Sequence, residues 1–236
     1  MKALIDGDLI SYINAASAEG DPEQIALLRV DRHIRDILEY TKCSEYNIFI
    51  SGGDNFRKEI NPEYKAHRTQ PKPIHLEVCN RFLVDEWNAI VTDGYEADDA
   101  LGCAQNKDTI ICSLDKDLLM IEGKHYSWPI VRKGKIIRDH SIVDVSYLDG
   151  IKHFYKQMLI GDTADNIVGV KGIGKVGAAK IIDPLDTEER MFNLVKQLYF
   201  DEIVEEQGES RFNMNANCLW IWRSLGINFS IRNPFG

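Results

Sequence analysis

The 236-residue chain contains no run of about 18 apolar residues, so it offers no helix able to span a membrane. Its start, "MKALIDGDLI", lacks the longer apolar stretch and small-residue cleavage site of a secretion signal, and the expectation is a cytoplasmic chain. The five cysteines (Cys43, Cys79, Cys103, Cys112 and Cys218) include no C-x-x-C pair, which argues against a zinc knuckle or a disulfide framework. They read as reduced, mostly buried thiols. The six histidines include no H-x-x-x-H pair, so a His-built zinc site is not expected either. Positive charge is also in deficit. There are 28 basic and 37 acidic residues, a net charge of −9, which taken alone argues against nucleic acid.

One stretch suggests phosphate all the same. "GDTADNIVGVKGIGKVGAAKII" (residues 161–182) contains G-x-G-x-x-G in Gly172, Gly174 and Gly177, and nearly spells a P-loop from Gly169 to Lys175. A P-loop needs Ser or Thr next, to ligate Mg²⁺, and here the residue is Val176. A dinucleotide fingerprint must follow a strand and open a helix. What precedes Gly172 is polar, turn-rich and itself preceded by a helical pattern. The stretch therefore reads as a turn between two helices.

Strand and helix patterns alternate up to about residue 130, as in an α/β domain with a mainly parallel sheet. "KALID", "EYNIFIS", "AIVT" and "DTIICS" read as strands, and "KHYSWPIVRKGKII" as a hairpin. "PEQIALLRVDRHIRDILEYT" has helical spacing, with Ile25, Leu28, Ile34, Ile37 and Leu38 on one side. "IHLEVCNRFLVDEWN" and "EADDALGCAQN" are also helical. From about Val145 the pattern is helical, through "VSYLDGIKHFYKQMLIG", "KVGAAKIID" and "PLDTEERMFNLVKQLYFDEIVEE" to a last apolar helix, "NANCLWIWRSL", expected to pack back on the domain. The division expected is 1–145 for the α/β domain and 146–236 for a helical lobe.

The carboxylates are unevenly placed. Asp6 ends the first strand and Asp54 follows the second. Glu96, Asp98 and Asp99 follow "AIVTDGY", and Asp115 and Asp117 follow "DTIICSL". The carboxyl ends of the strands in an open α/β sheet line one crevice, so four segments deliver seven acids to one edge. Asp162 and Asp165 can close over the same place. A lone Asp at a strand end often serves as a cap or turn residue, and Asp8 can simply cap the helix after "DGD". The joint pattern instead points to hard divalent ions. Clustered carboxylates cannot all ionise without cations, and Mg²⁺ takes oxygen ligands while working with phosphate oxygens. A pair of such ions can clamp a phosphodiester for in-line attack by water. Setting the nine acids aside leaves acids and bases equal at 28, so the net negative charge is that of the proposed metal site.

Two segments are basic. Residues 57–72, "RKEINPEYKAHRTQPK", hold five Lys/Arg against two acids, with Tyr64 among them. Lys65 and Arg68 would share a face of a helix and can reach a phosphate, and Tyr64 can stack on a base. "GVKGIGKVGAAK" carries Lys171, Lys175 and Lys180 and no acid. Its Gly172 and Gly174 allow close backbone approach, and the N–H groups opening the next helix suit a DNA phosphate.

In this order, "LIDGDLI", "GGDNFRKEINPEYKAHR", "YEADDALG", "SLDKDL" and "GDTADNIVGVKGIGKVGAAKII" resemble the flap endonuclease / 5′-to-3′ exonuclease family, over about residues 1–185. The resemblance implies a PIN-like α/β domain with a mainly parallel sheet flanked by helices, a small helical arch, and a DNA-binding helix-3-turn-helix at about 150–183. It implies one metal cluster of Asp6, Asp54, Glu96, Asp98 and Asp115, and a second of Asp99, Asp117, Asp162 and Asp165. Two Mg²⁺ ions are implied, with Mn²⁺ able to substitute. Asp6, Asp115, Lys65 and Arg68 would carry the chemistry, the last two on the scissile phosphate, with Tyr64 at the base-stacking position. Carbonyls around Val170 and Ile173 match a monovalent-cation (K⁺) site. The partner implied is DNA at 5′ ends, flaps and nicks, with RNA primers as a further substrate, cut by a monomer in phage replication. Three rivals remain. A haloacid-dehalogenase-type phosphatase would use Asp6 and Asp8, but leaves "GVKGIGK" and "YEADD" unexplained. A DNA-binding module with a vestigial site should have lost some of the nine acids. A toxin-like PIN ribonuclease would lack the helical lobe.

Overall fold

The computed structural model describes residues 1–202 and 205–229. In chain order the elements are β1 (Lys2–Asp6), α1 (Gly7–Ser17), α2 (Glu23–Thr41), β2 (Glu45–Ile50), α3 (Arg57–Ile60), α4 (Leu76–Trp87), β3 (Ile90–Val91), α5 (Ala97–Ala104) and β4 (Thr109–Cys112). A 3₁₀ turn, Asp117–Met120, leads to β5 (Gly123–Ser127), β6 (Ile130–Arg132), β7 (Lys135–Arg138) and β8 (Ser141–Val145). The remainder is α6 (Tyr147–Ile160), β9 (Gly161–Asp162), β10 (Ile167–Val168), α7 (Lys175–Ile182), α8 (Glu188–Glu202) and α9 (Glu205–Leu219).

Six strands form one sheet in the order β3-β2-β1-β4-β5-β8, parallel except for the antiparallel edge strand β8. Alternation along the strands sends side chains to opposite faces. Ile5, Ile48 and Ile110 meet α1, α2 and α4 through Ile10, Ile34 and Leu83. Leu4, Phe49 and Ile111 face a second core built with Leu101 of α5, Phe154 of α6, Met191 of α8 and Phe212 of α9. The helical lobe therefore shares its core with one face of the sheet.

The turn from β1 into α1 shows why "DGD" is spelled that way. A Cβ on Gly7 would lie 2.6 Å from the Phe49 carbonyl, so only glycine lets the chain turn against β2. Asp6 then caps α1 by accepting the Leu9 N–H at 3.0 Å.

Several sequence expectations need correction. The buried stripe of α2 is Ala26, Val30, Ile34, Ile37 and Thr41, and Leu28 is 65% exposed, about half a turn away from that stripe. The hairpin is only β6–β7, because residues 123–127 join the main sheet beside β4. The last apolar helix stops at Leu219, and Trp220–Trp222 continue as irregular chain that does pack back. The helix expected through Ile203 and Val204 lies, at those two positions, outside the described residues. The expected arch is a four-residue helix, α3, followed by turns over 62–67.

Arg57 opens α3 and is 2% exposed. Its guanidinium donates to both oxygens of Asp99, at 2.6 and 2.8 Å, and to the carbonyls of Cys218 and Trp220, at 2.9 and 2.8 Å. The Trp222 N–H adds a bond to Asp99 at 3.1 Å, and Phe56 stacks on Trp222. One ion pair thus joins α3, α5 and the C-terminal segment. Asp99→Ala would leave the buried Arg57 charge without its hydrogen-bonded partner and with only Glu96 at 3.6 Å, at a cost of about 3–5 kcal/mol. At roughly 2–4 °C per kcal/mol for a chain of this size, we expect a melting-temperature loss near ~10 °C, and a smaller loss for the double replacement Arg57→Met/Asp99→Leu. Thermal denaturation followed by circular dichroism checks both.

Candidate metal centre

The carboxyl ends of β1, β2 and β4 and the start of α5 converge on one edge of the sheet, and the β9–β10 loop of the helical lobe faces them. A cleft of about 380 Å³ is lined by Glu96, Asp98, Asp115, Asp117, Asp162 and Asp165, with Lys65 and Arg68 at its side. An adjoining cleft of about 480 Å³ shares Glu96, Asp98, Asp115, Lys65 and Arg68, and adds Asp6 and Asp8.

Each acid is held by its local chain. Asp6, 4% exposed, accepts from Leu9 N–H and from the Ser113 hydroxyl at 2.7 Å. Ser113 Oγ in turn accepts the Asp115 N–H at 2.9 Å, and Asp115 accepts the Asp117 N–H at 2.8 Å. Gln157 of α6 donates to Asp117 at 2.5 Å. Asp162 closes its own turn by accepting from Ala164 N–H at 2.7 Å. Glu96, the residue before α5, takes the Lys65 ammonium and the Tyr64 hydroxyl, and Arg57 lies 3.6 Å away. Asp165 takes Arg68 at 2.6 Å and Tyr64 at 2.9 Å. Asp98 accepts no hydrogen bond among the described residues.

Crowding shows in the acidities. Burial pushes Asp6 up to about 7, helped by Asp8 and Asp115. Burial, then Asp115, Asp162 and Asp165, pushes Asp117 up to about 7. Burial raises Asp98 well above the usual carboxylate range, with Asp115, Asp6 and Glu96 adding repulsion, and it raises Asp115 too. Glu96 is the exception. Burial pushes it up, but Lys65 and Arg57 outweigh that and hold it below its ordinary value.

The structure brings together Asp6, Glu96, Asp98, Asp115, Asp117, Asp162 and Asp165, and sets two of the expected metal ligands apart. Asp99 is fully buried and its two oxygens are spent on Arg57, Trp222 N–H and the backbone of Glu96, so it holds the fold instead. Asp54 is exposed and lines a rim cavity with Lys58, Lys65 and Arg68, outside both acidic clefts. Tyr64 is also reassigned. At 4% exposure, with its hydroxyl on two acids, it has no open face for a base. Lys65 and Arg68 do stand over the acids, but from a turn and not from a shared helical face; Lys65 has φ 58° and its N–H is fixed on the Asp165 carbonyl. Asp8, read as a simple cap, instead accepts the Ser51 N–H at 3.0 Å and borders the cleft, with burial raising its pKa. Its carboxylate in "DGD" was the available signal. Gln157 and Ser113 carried none.

Among the described residues no three of His, Cys, Asp and Glu close around one point as a compact metal site. Mg²⁺ takes oxygen ligands, binds through one or two carboxylates and keeps several waters, so the carboxylates lining the cleft are of the right donor type for it without a closed cage. The unbonded, strongly raised Asp98 at the centre fits such a cation.

In the helical lobe, α6 and α7 flank the β9–β10 ladder and the turn that carries Lys171, Gly172, Ile173 and Gly174. Gly172 has φ 81°, and Gly161 passes so close to Gly169 that a Cβ would lie 2.3 Å from its nitrogen. Lys171, Lys175 and Lys180 are exposed and have no ion pair among the described residues. Gly174, at the α7 N-cap, has no side-chain cap bond. The Lys171 amide is taken by Glu202 at 3.1 Å, and the Val170 carbonyl by Ile173 N–H at 3.2 Å.

The family model described as 5′-3′ exonuclease, N-terminal resolvase-like domain, matches residues 4–145. The 5′-3′ exonuclease of Buchnera aphidicola subsp. Schizaphis graminum is 28% identical over 214 residues, covering 83% of this chain and 74% of that protein. DNA polymerase I of Caldicellulosiruptor bescii is 30% identical over 164 residues, 61% of this chain, and the match spans 19% of the polymerase. Other DNA polymerase I relatives are likewise matched over about a fifth of their length. The fold is that of zinc-bound T5 5′-exonuclease, with a TM-score of 0.64 at 17% identity, covering 92% of this chain and 91% of that one. The catalytic core of Rad2 in complex with DNA substrate superposes with a TM-score of 0.56 at 15% identity, over 89% of this chain and 71% of that one. With more than half of its residues matched by the family's own model, this chain belongs to the 5′-3′ exonuclease family.

Proposed function

We propose that this protein hydrolyses DNA phosphodiesters near 5′ ends, as a divalent-metal-dependent 5′-3′ exonuclease and flap endonuclease. The observation that carries the reading is the acidic cleft roofed by Lys65 and Arg68, next to a lobe whose lysines at 171, 175 and 180 are exposed. Relatives bearing the name 5′-3′ exonuclease, and a neighbouring fold solved with DNA, support it. Bound Mg²⁺ ions would offset the carboxylate charge and polarise the phosphate and the attacking water. Asp98, Asp115, Asp6 and Glu96 would hold one ion, and Asp117, Asp162 and Asp165 the other.

The chain's own residues do the rest. Lys65 and Arg68 rest on Glu96 and Asp165, and an incoming phosphate would draw both cations onto its oxygens. That exchange frees the two acids and stabilises charge developing on the phosphate. Lys171, Lys175 and Lys180, with the opening of α7, would hold the duplex by its backbone without reading sequence. Carbonyls around Val170 and Ile173 would hold a K⁺ ion, whose charge would add to that of the lysines. The phosphatase reading is disfavoured because it needs only Asp6 and Asp8, and leaves the acids of α5 and of the β9–β10 loop and the exposed lysines of the helical lobe without a role.

Three outcomes follow. With 5′-labelled duplex, nicked and 5′-flap DNA, we expect Mg²⁺-dependent release of short 5′ fragments that chelator abolishes. Asp115→Asn should lower the rate about 10–100-fold, and Lys65→Ala about 100-fold in kcat. DNA bound but never cut would leave a binding module as the better account. Lys171, Lys175 and Lys180 replaced together by Ala should reduce the slope of log affinity against log salt by about 2–3, measured by fluorescence anisotropy. Asp6 and Asp117 hold protons up to about pH 7 in the folded chain but release them near 3.8 when unfolded. Between those values the folded state binds more protons, so stability falls as pH rises. In chelator the melting temperature should drop by several degrees from pH 5 to pH 8, and Mg²⁺ should raise it more at pH 8 than at pH 5.

A further inference from the structure

Tyr64 lies beneath the segment that crosses the acids, and no step above uses it. Its ring is buried in the core shared by the sheet and the helical lobe, the same core that holds Phe49, Ala97 and Phe154. Its hydroxyl lies 3.0 Å from Glu96 Oε2 and 2.9 Å from Asp165 Oδ2. Those two acids come from different parts of the molecule. Glu96 precedes α5 on the sheet side, and Asp165 sits in the β9–β10 loop of the lobe. The backbone around Tyr64 is fixed as well, since Lys65 N–H donates to the Asp165 carbonyl at 3.1 Å and Asn166 donates to the Glu63 carbonyl at 3.0 Å.

Lys65 makes a parallel link between the same acids, to Glu96 and at 3.8 Å to Asp165. An incoming phosphate competes for that ammonium. The phenol cannot be drawn away, because its ring is locked in the core. One O–H shared between two carboxylate oxygens draws them together without adding a charge, so it leaves the demand for cations intact.

We propose that Tyr64 is a positioning residue whose hydroxyl sets the spacing of Glu96 and Asp165, and so presents the two banks of the cleft at the separation that divalent ions require. The activity arm of the test rests on the nuclease reading; the metal-binding arm does not. Residues that orient ligands in this way change metal affinity or activity about 10–100-fold when removed.

The test compares wild type, Tyr64→Phe and Tyr64→Met. Mn²⁺ affinity is measured by the electron paramagnetic resonance signal of the free ion, and kcat and KM are measured on a 5′-flap substrate. Tyr64→Phe keeps the buried ring and removes only the hydroxyl. We expect both variants to weaken Mn²⁺ binding about tenfold and to lower kcat, with KM for DNA unchanged. A Tyr64→Phe protein matching wild type in Mn²⁺ affinity and kcat overturns the assignment. So does a rise in KM confined to Tyr64→Met, the signature of stacking on a base, or a collapse of the fold in Tyr64→Phe. Wild type that cuts no DNA, yet loses Mn²⁺ affinity on Tyr64→Phe, sinks the nuclease reading alone.

Discussion

The acidic centre depends on the buried ion pair of Arg57 and Asp99. A guanidinium at this depth is tolerable only if it is paired and hydrogen-bonded, and the chain supplies four hydrogen bonds from two directions. Asp99 supplies two oxygens from α5, and Cys218 in the last turn of α9 and Trp220 just past it supply carbonyls. The pair therefore fixes where α5 begins. The residues just before and inside that start, Glu96 and Asp98, are the acids at the middle of the cleft. A C-terminal segment with no nuclease motif of its own thus helps to set the geometry of the site.

Above that anchor the dominant effect is burial of charge, with mutual repulsion added to it. Burial and mutual charge push Asp6, Asp98, Asp115 and Asp117 up, while Glu96 alone is held down by Lys65 and Arg57. The fold keeps these groups close by setting them at the end of β1, the start of α5 and the segment after β4, and by bonding most of their lone pairs to backbone amides and side chains. Lys65, Arg68 and Tyr64 relieve the strain on one side of the cleft only. Asp98, bonded to nothing among the described residues, remains as the group whose charge a cation would answer.

Much of the fold was legible. Alternating strands and helices imply a parallel sheet, and a parallel sheet sends the ends of β1, β2 and β4 to one edge. That logic places Asp6, Glu96, Asp98, Asp115 and Asp117 correctly. It fails where a neighbour distant in sequence decides. Asp99 looks identical to Asp98 in "EADD", yet one helical position turns it inward to Arg57, whose partner role "FRKEI" does not announce. Tyr64 among basic residues resembles a stacking platform until the lobe folds over it. Leu28 fits an apolar stripe by eye, but Ala26, Val30 and Ile34 define the buried face.

What the sequence determined by itself was the local chemistry. The glycine between Asp6 and Asp8, the acids after each strand, the lysines around Gly172 and the absence of thiol or histidine clusters all follow from residue type and spacing. Those features act within a few residues, through backbone sterics, capping and strand alternation. Tertiary structure decided which carboxylates share a cleft, which one is consumed by an ion pair, and whether an aromatic is a surface or a buried link. Those outcomes depend on burial and on partners 30 to more than 100 positions away, as between Arg57 and Cys218 or Tyr64 and Asp165, where packing and not proximity in the chain sets the energy.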